Sequence, residues 1–186
     1  RVANNSANFC EEFKIFDEEG SETIYYAGLL HDIGIIGVPA EILQKVDQLT
    51  DEEMISIKRH PVRGEKILSN LNCLKDILPM IRHHHEAIDG SGYPDGLKSN
   101  EIPLGGRILC LFNHFDNLAF PRSSKQAMST KDALEAIKSN AGKLFDENLI
   151  PDFIKFIDAN SGNSSDFMLK NETTSMKQIF AASIKH

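Results

Sequence analysis

Apolar positions along this chain recur mostly at helical spacing rather than in alternation. Residues 21–32 carry Ile24, Ala27, Gly28, Leu29 and Leu30 near a helical period and end at His31-Asp32-Ile33-Gly34, where the glycine reads as a helix stop. Pro39 can open a short helix over Ala40-Glu41-Ile42-Leu43. Thr50-Asp51-Glu52-Glu53 predicts a capping box, with Thr50 as N-cap and Glu53 at the third helical position. Pro61 suits the first turn of a helix reaching Leu68, and Pro79 stands near the start of another that precedes His83. Gly105 to Phe120 is a strongly apolar helix whose core candidates are Ile108, Leu109, Leu111, Phe112 and Phe115. Thr130 is the expected cap of a helix through Ile137, and Asn148 to Ile157 reads as a final amphipathic helix. From Asn160 to Ser175 the composition shifts to Asn, Ser, Gly and Thr, which predicts a linker; a short helix is expected from Met176 to Ile184. No strand pattern or repeat emerges, so the expected class is all-α.

Bulk composition narrows the partners. At 186 residues, with 41% hydrophobic and 25% charged positions, the chain suits one soluble domain with a proper core. A formal charge of −7 argues against binding nucleic-acid polymers, which takes a basic face to release counterions. It leaves room for a small anionic substrate held by metal ions and a few local cations. No apolar run approaches the roughly 18 residues of a membrane span, and no secretory signal is visible. The first residue is Arg1 rather than Met, so the natural chain is expected to extend upstream. Cys10, Cys73 and Cys110 are scattered, form no CxxC pair, and read as small core residues in a reducing cytoplasm.

Chemistry gathers in three places. His31-Asp32 closes the first apolar helix, His60 precedes Pro61, and His83-His84-His85-Glu86 runs into a loop punctuated by Gly90, Gly92, Pro94 and Gly96. Imidazole and carboxylate are usual ligands of first-row transition metals. Glycines allow close backbone approach and positive φ. An isolated His-Asp pair reads at least as well as a surface or capping feature, and His60 alone reads as one. Three consecutive histidines cannot all face one site from a helix; His84 and His85 are the expected ligands, with His83 exposed or supporting them.

In this order the motifs resemble the HD-GYP branch of the HD metal-dependent phosphohydrolases. HDIG at His31 to Gly34, HP at His60-Pro61, HHE at His84 to Glu86 and DGSGYP at Asp89 to Pro94 are followed by EIPLGGRIL at Glu101 to Leu109 and LFDENL at Leu144 to Leu149. The likeness runs from Arg1 to about Asp158, which sets an expected domain of 1–158 and a polar extension of 159–186. It implies an HD-type helical bundle holding two or three transition-metal ions, commonly iron or manganese. The implied activity is hydrolysis of the bacterial second messenger cyclic di-GMP to the linear dinucleotide or GMP, in cytoplasmic signalling. His31 and Asp32 would be catalytic and, with His60, His84 and His85, would bind metal. Tyr93, Arg122 and Lys125 would contact substrate. Simple packing of Tyr93 and solvation of the two cations remain open readings. A GGDEF-domain protein is the implied protein partner.

Three departures bear on activity. The family's upstream His and Glu do not fall within residues 1–186. Asn113 stands where the family has Asp, and a neutral amide oxygen is a weakened metal ligand. The upstream His and that Asp serve one ion together with the His-Asp pair, so both losses fall on it. His60, His84, His85 and a bridging Asp32 retain a second site. Ile35 replaces a lysine expected at the scissile phosphate. Asp116 and Arg63 are conceivable stand-ins for the lost carboxylate and cation, whereas His114 points elsewhere on its helix. The rival readings are a degenerate domain that binds nucleotide or protein without turnover, and hydrolysis of another phosphorylated nucleotide.

Overall fold

Helices follow one another almost without interruption in the computed structural model, which describes residues 1–45, 47–121 and 126–160. In chain order these are α1 (Val2–Glu12), α2 (Glu18–Leu30), α3 (Ala40–Leu43), α4 (Asp51–Lys58), α5 (His60–Leu68), α6 (Leu78–His83), α7 (Leu104–Ala119), α8 (Thr130–Ser139) and α9 (Ile150–Asn160). Tight 3-10 turns occupy Ile33–Gly37, Asn72–Ile77 and Ser99–Glu101. Among the described residues the only β feature is an isolated bridge between Ala141 and Phe145. The class is all-α, as the spacing predicts. Arg122, Lys125 and the expected helix at Met176–Ile184 lie outside the described residues.

Local chemistry sets several boundaries. Asp17 accepts from the Gly20 amide at 2.9 Å and so starts α2 three residues earlier than the apolar period suggests. Both halves of the Thr50 box form: the Glu53 amide reaches Thr50 Oγ1 at 3.3 Å, and the Thr50 amide donates to Glu53 Oε2 at 2.7 Å. Ser129, not Thr130, caps α8, accepting from the Asp132 amide at 3.1 Å. The last helix begins at Ile150 rather than Asn148, because Asp146 Oδ1 accepts from both the Asn148 amide and its side chain and holds a turn there.

The first helix escapes the apolar pattern because its buried face includes Asn5 and Ser6 alongside Val2, Ala3, Ala7, Phe9 and Cys10. Phe9 meets Phe112, Phe153 and Phe156 edge-on at 5.5, 6.5 and 5.7 Å. That aromatic knot joins α1, α7 and α9, and edge-to-face pairs add to the apolar burial. All five expected core residues of α7 are buried. Cys10 and Cys110 are buried too, and burial pushes both thiols up to about 12; Cys73 is exposed, against expectation.

One packing contact decides where the site forms. The 33–37 turn lies against α5, and Gly34 is the point of touch. A Cβ there would stand 2.0 Å from the His60 carbonyl oxygen and 2.6 Å from the Gly64 amide nitrogen. Gly34 does not stop the chain from turning: the backbone passes through it into the 3-10 turn. Its missing side chain instead lets the end of α2 press onto the start of α5.

Candidate metal centre

Every side chain of the site sits at a helix end. His31 follows α2, Asp32 follows it, His60 opens α5, and His84 and His85 leave α6. Each of three imidazoles is fixed by the carbonyl three residues before it. His31 Nδ1 meets Gly28 O at 2.7 Å, His60 Nδ1 meets Ile57 O at 3.0 Å, and His84 Nδ1 meets Ile81 O at 2.7 Å. A carbonyl only accepts, so each Nδ1 carries a proton and each Nε2 turns inward. His60 Nε2 and His84 Nε2 face each other at 3.2 Å. Asp32 Oδ2 lies 3.3 Å from His31 Nε2, and Oδ1 lies 3.4 Å from His60 Nε2. One ligand atom from each of Asp32, His60, His84 and His85 falls within 4.8 Å of the others.

Electrostatics keeps these groups in ligand form. Burial, aided by the neighbouring His85, holds His84 well below the ordinary histidine range. Burial likewise lowers His60 and pushes His85 down to about 3. Asp32 is held below the usual carboxylate range: burial opposes this, but the His31 ring against it outweighs burial. The result is a carboxylate beside His60, His84 and His85, whose rings burial keeps neutral. Two ring nitrogens at 3.2 Å with no proton between them repel. A transition-metal cation would supply the missing positive charge, and its preferred donors are these. The residues fit a metal.

Above the cluster lies the glycine-rich loop. Tyr93 stacks on His85 with ring centroids 4.8 Å apart and 19° between planes, and its amide donates to His85 O at 3.1 Å. Burial, then the charge of Asp32, raises the Tyr93 hydroxyl above its ordinary range, so it stays a neutral donor. Gly92 lets the loop fold back on the chain, since a Cβ there would sit 2.3 Å from the Ala87 amide nitrogen. Glu86 is buried and accepts from the amides of Asp95, Gly96 and Leu97 at 2.7, 3.2 and 3.1 Å. The glutamate of the HHE run therefore anchors the loop.

A second clamp holds the far side. Arg82 donates to Asp95 through Nε (2.6 Å) and Nη2 (2.9 Å) and to Glu65 through Nη1 (2.5 Å). His83 turns from the cluster and meets the same Asp95 at 3.0 Å. The amides of Ile88 and Asp89 donate to the carbonyls of Leu144 and Lys143, while Arg107 pairs with Asp146 at 2.6 Å. These contacts explain why the EIPLGGRIL and LFDENL segments accompany the loop.

Other expected residues lie elsewhere or are engaged. Asn113 is buried in α7, its amide oxygen accepting from Asn117 at 3.2 Å. Asp116 cannot replace the lost carboxylate, because the Arg1 guanidinium grips both its oxygens at 2.5 and 3.0 Å. Arg63 cannot replace the lost cation either: it donates to the carbonyls of Ser56 (2.5 Å) and Gly34 (3.4 Å), bracing the 33–37 turn. His114 turns to Cys110 O and the edge of Phe145. A side chain that the sequence reading did not single out is Lys58, whose Nζ lies 5.3 Å from the centre of the Tyr93 ring. Its position two residues before His60 was the available signal, and helical spacing gives such a place no weight.

Comparison with known proteins agrees with this geometry. A family model described as HD domain matches residues 1–149. A cyclic di-GMP phosphodiesterase of Thermotoga maritima is 38% identical over 157 residues, covering 83% of this chain and 42% of that protein. A cyclic di-GMP phosphodiesterase response regulator of Xanthomonas campestris is 39% identical over 152 residues, covering 81% and 40%. A 3′3′-cGAMP-specific phosphodiesterase of Vibrio cholerae is 36% identical over 136 residues, covering 68% and 30%. The chain thus spans less than half the length of these curated relatives. The fold is shared with an HDG“Y”P protein of Bdellovibrio bacteriovorus (TM-score 0.68, 21% identity, 87% of this chain and 50% of that one). It is shared also with a cyclic GMP-AMP phosphodiesterase of V. cholerae (TM-score 0.70, 17% identity, 95% and 49%).

Proposed function

Because the chain belongs to the HD domain family, in its HD-GYP branch, we propose that it is a metal-dependent phosphodiesterase that hydrolyses cyclic di-GMP to the linear dinucleotide or GMP. The observation that carries this reading is the convergence of His60 and His84 lone pairs on Asp32 directly beneath a tyrosine-bearing loop. Two or three iron or manganese ions, when bound, would neutralise the charge developing on the phosphate and lower the pKa of water.

This chain's residues supply the rest. Asp32, His60, His84 and His85 hold metal, and His31 completes the site from the end of α2. Asn113 offers a weakened ligand to a neighbouring ion, since its oxygen is uncharged. Tyr93, neutral and stacked on His85, donates to the substrate from the loop that Glu86 and Arg82 keep in place. Arg122 and Lys125 are the proposed cations for the nucleotide phosphates. A GGDEF-domain protein is the partner that the family resemblance adds, and cytoplasmic signalling is the matching setting. No helix among the described residues is long and apolar enough to cross a membrane.

The test is protein loaded with Fe(II) or Mn(II), incubated with cyclic di-GMP and followed by chromatography. Linear dinucleotide or GMP is expected, and His84→Ala should remove it along with the bound metal. Fully metal-loaded protein that leaves the substrate intact refutes the proposal. The alternative drawn from Asn113 and Ile35, binding without turnover, would give ligand binding and no product in the same assay.

A further inference from the structure

We infer that Lys58 is a substrate-binding residue that holds the phosphodiester of the cyclic dinucleotide that is not being cleaved. This rests on the phosphodiesterase reading above and extends it. A cyclic dinucleotide carries two phosphodiester charges. The metal cluster can take one of them, and the other calls for cations, a need that Lys58 would share with Arg122 and Lys125, in a chain whose formal charge is −7 and whose overall field repels it.

Arg122 and Lys125, proposed above for the nucleotide phosphates, lie outside the described residues; near the cluster, two described cations are already engaged. Ile35 brings no charge to the 33–37 turn. Arg63 is bound to the carbonyls of Ser56 and Gly34, and Arg82 is held by Asp95 and Glu65. Lys58 is exposed and has no carboxylate partner among the described residues; its ammonium rests against the Tyr93 ring at 5.3 Å. That contact is electrostatic attraction to the face of the ring and forms no conventional hydrogen bond, so the three N–H donors remain available for phosphate oxygens.

Its position is also well determined. Lys58 ends α4, whose other end is fixed by the Thr50–Glu53 box, and His60 begins α5 two residues later. Lys58 and His85 both contact the Tyr93 ring, with 5.3 Å from ammonium to ring centre and 4.8 Å between ring centres. The ammonium thus stands against the ring that packs on a cluster residue. There it can meet a second phosphate without competing for the metals.

The experiment measures kcat, KM and bound metal for the full chain and for Lys58→Met, which keeps most of the stem and removes the charge, and Lys58→Arg, which keeps the charge. For Lys58→Met the expected result is a KM for cyclic di-GMP raised about 10-fold or more with kcat within about twofold, a pattern that marks lost binding rather than lost chemistry. Metal content should be unchanged, and Lys58→Arg should recover most of the affinity. An unchanged KM in Lys58→Met, or a fall in kcat accompanied by metal loss, overturns the assignment while wild-type turnover leaves the function standing. Wild-type protein that neither binds nor cleaves cyclic di-GMP overturns the function and the assignment together.

Discussion

Replacing Gly34 with alanine should damage both the fold and the metal centre, through one collision. The added Cβ would lie 2.0 Å from the His60 carbonyl oxygen, 2.6 Å from the Gly64 amide nitrogen and 2.9 Å from the His60 carbonyl carbon. Ordinary carbon–oxygen contact is roughly 3.3 Å, so the two segments must part by more than an ångström. All three obstructing atoms are backbone, and no rotamer change relieves them. Overpacking of this kind costs about 1–3 kcal/mol, and a purely backbone clash belongs at the upper end. For a chain of this size, about 3 kcal/mol corresponds to a melting temperature lower by roughly 6–12 °C. The same displacement pulls Asp32 from His60, now 3.4 Å apart. Misplacing reacting groups by about 1 Å can cost on the order of 100-fold in rate. Gly37→Ala is the control, since its Cβ would meet the Arg63 side chain at 2.8 Å, and a side chain can move aside. The assay is thermal unfolding with and without Mn(II), together with elemental analysis. A Gly34→Ala protein that melts with the wild type and keeps its metal would refute the reasoning.

Two further effects follow from the site. Glu86→Gln leaves one carboxamide oxygen where a charged carboxylate accepts three amides; a loss of about 2–3 kcal/mol and a raised KM with metal retained are expected, and unaltered melting and KM would show that the loop does not depend on this anchor. Metal-stripped protein should weaken in acid: His60, His84 and His85 are depressed in the folded state, His85 to about 3, whereas an unfolded histidine titrates near 6.5. Below that value the unfolded chain takes up protons that the folded chain refuses, so stability is complete above about 6.5 and falls toward pH 3, by up to about 1.4 kcal/mol per pH unit for each histidine. Urea midpoints compared at neutral and mildly acidic pH read this directly, and a flat profile would contradict it.

Sequence alone determined the helical class, because the apolar period of 3.6 and the Thr50–Glu53 box act over a few residues and leave a local trace. It also determined the family, since the His, Asp, Glu and Gly motifs occur in order along one chain. It pointed to His84 and His85 over His83 from the geometry of a helix, and the structure turns His83 to Asp95. Whatever depends on distant segments meeting was decided by tertiary structure. Periodicity cannot show that Gly34 is a contact point with α5 rather than a stop, because the obstacle lies 26 residues onward at His60. Nor can it show that Asp116 and Arg63 are already engaged, by Arg1 in one case and by the Ser56 and Gly34 carbonyls in the other. The inward lone pairs of His60 and His84 and the cation lying over Tyr93 exist only once α4, α5, α6 and the loop are packed, because ligand geometry is set by through-space distances that no local spacing encodes.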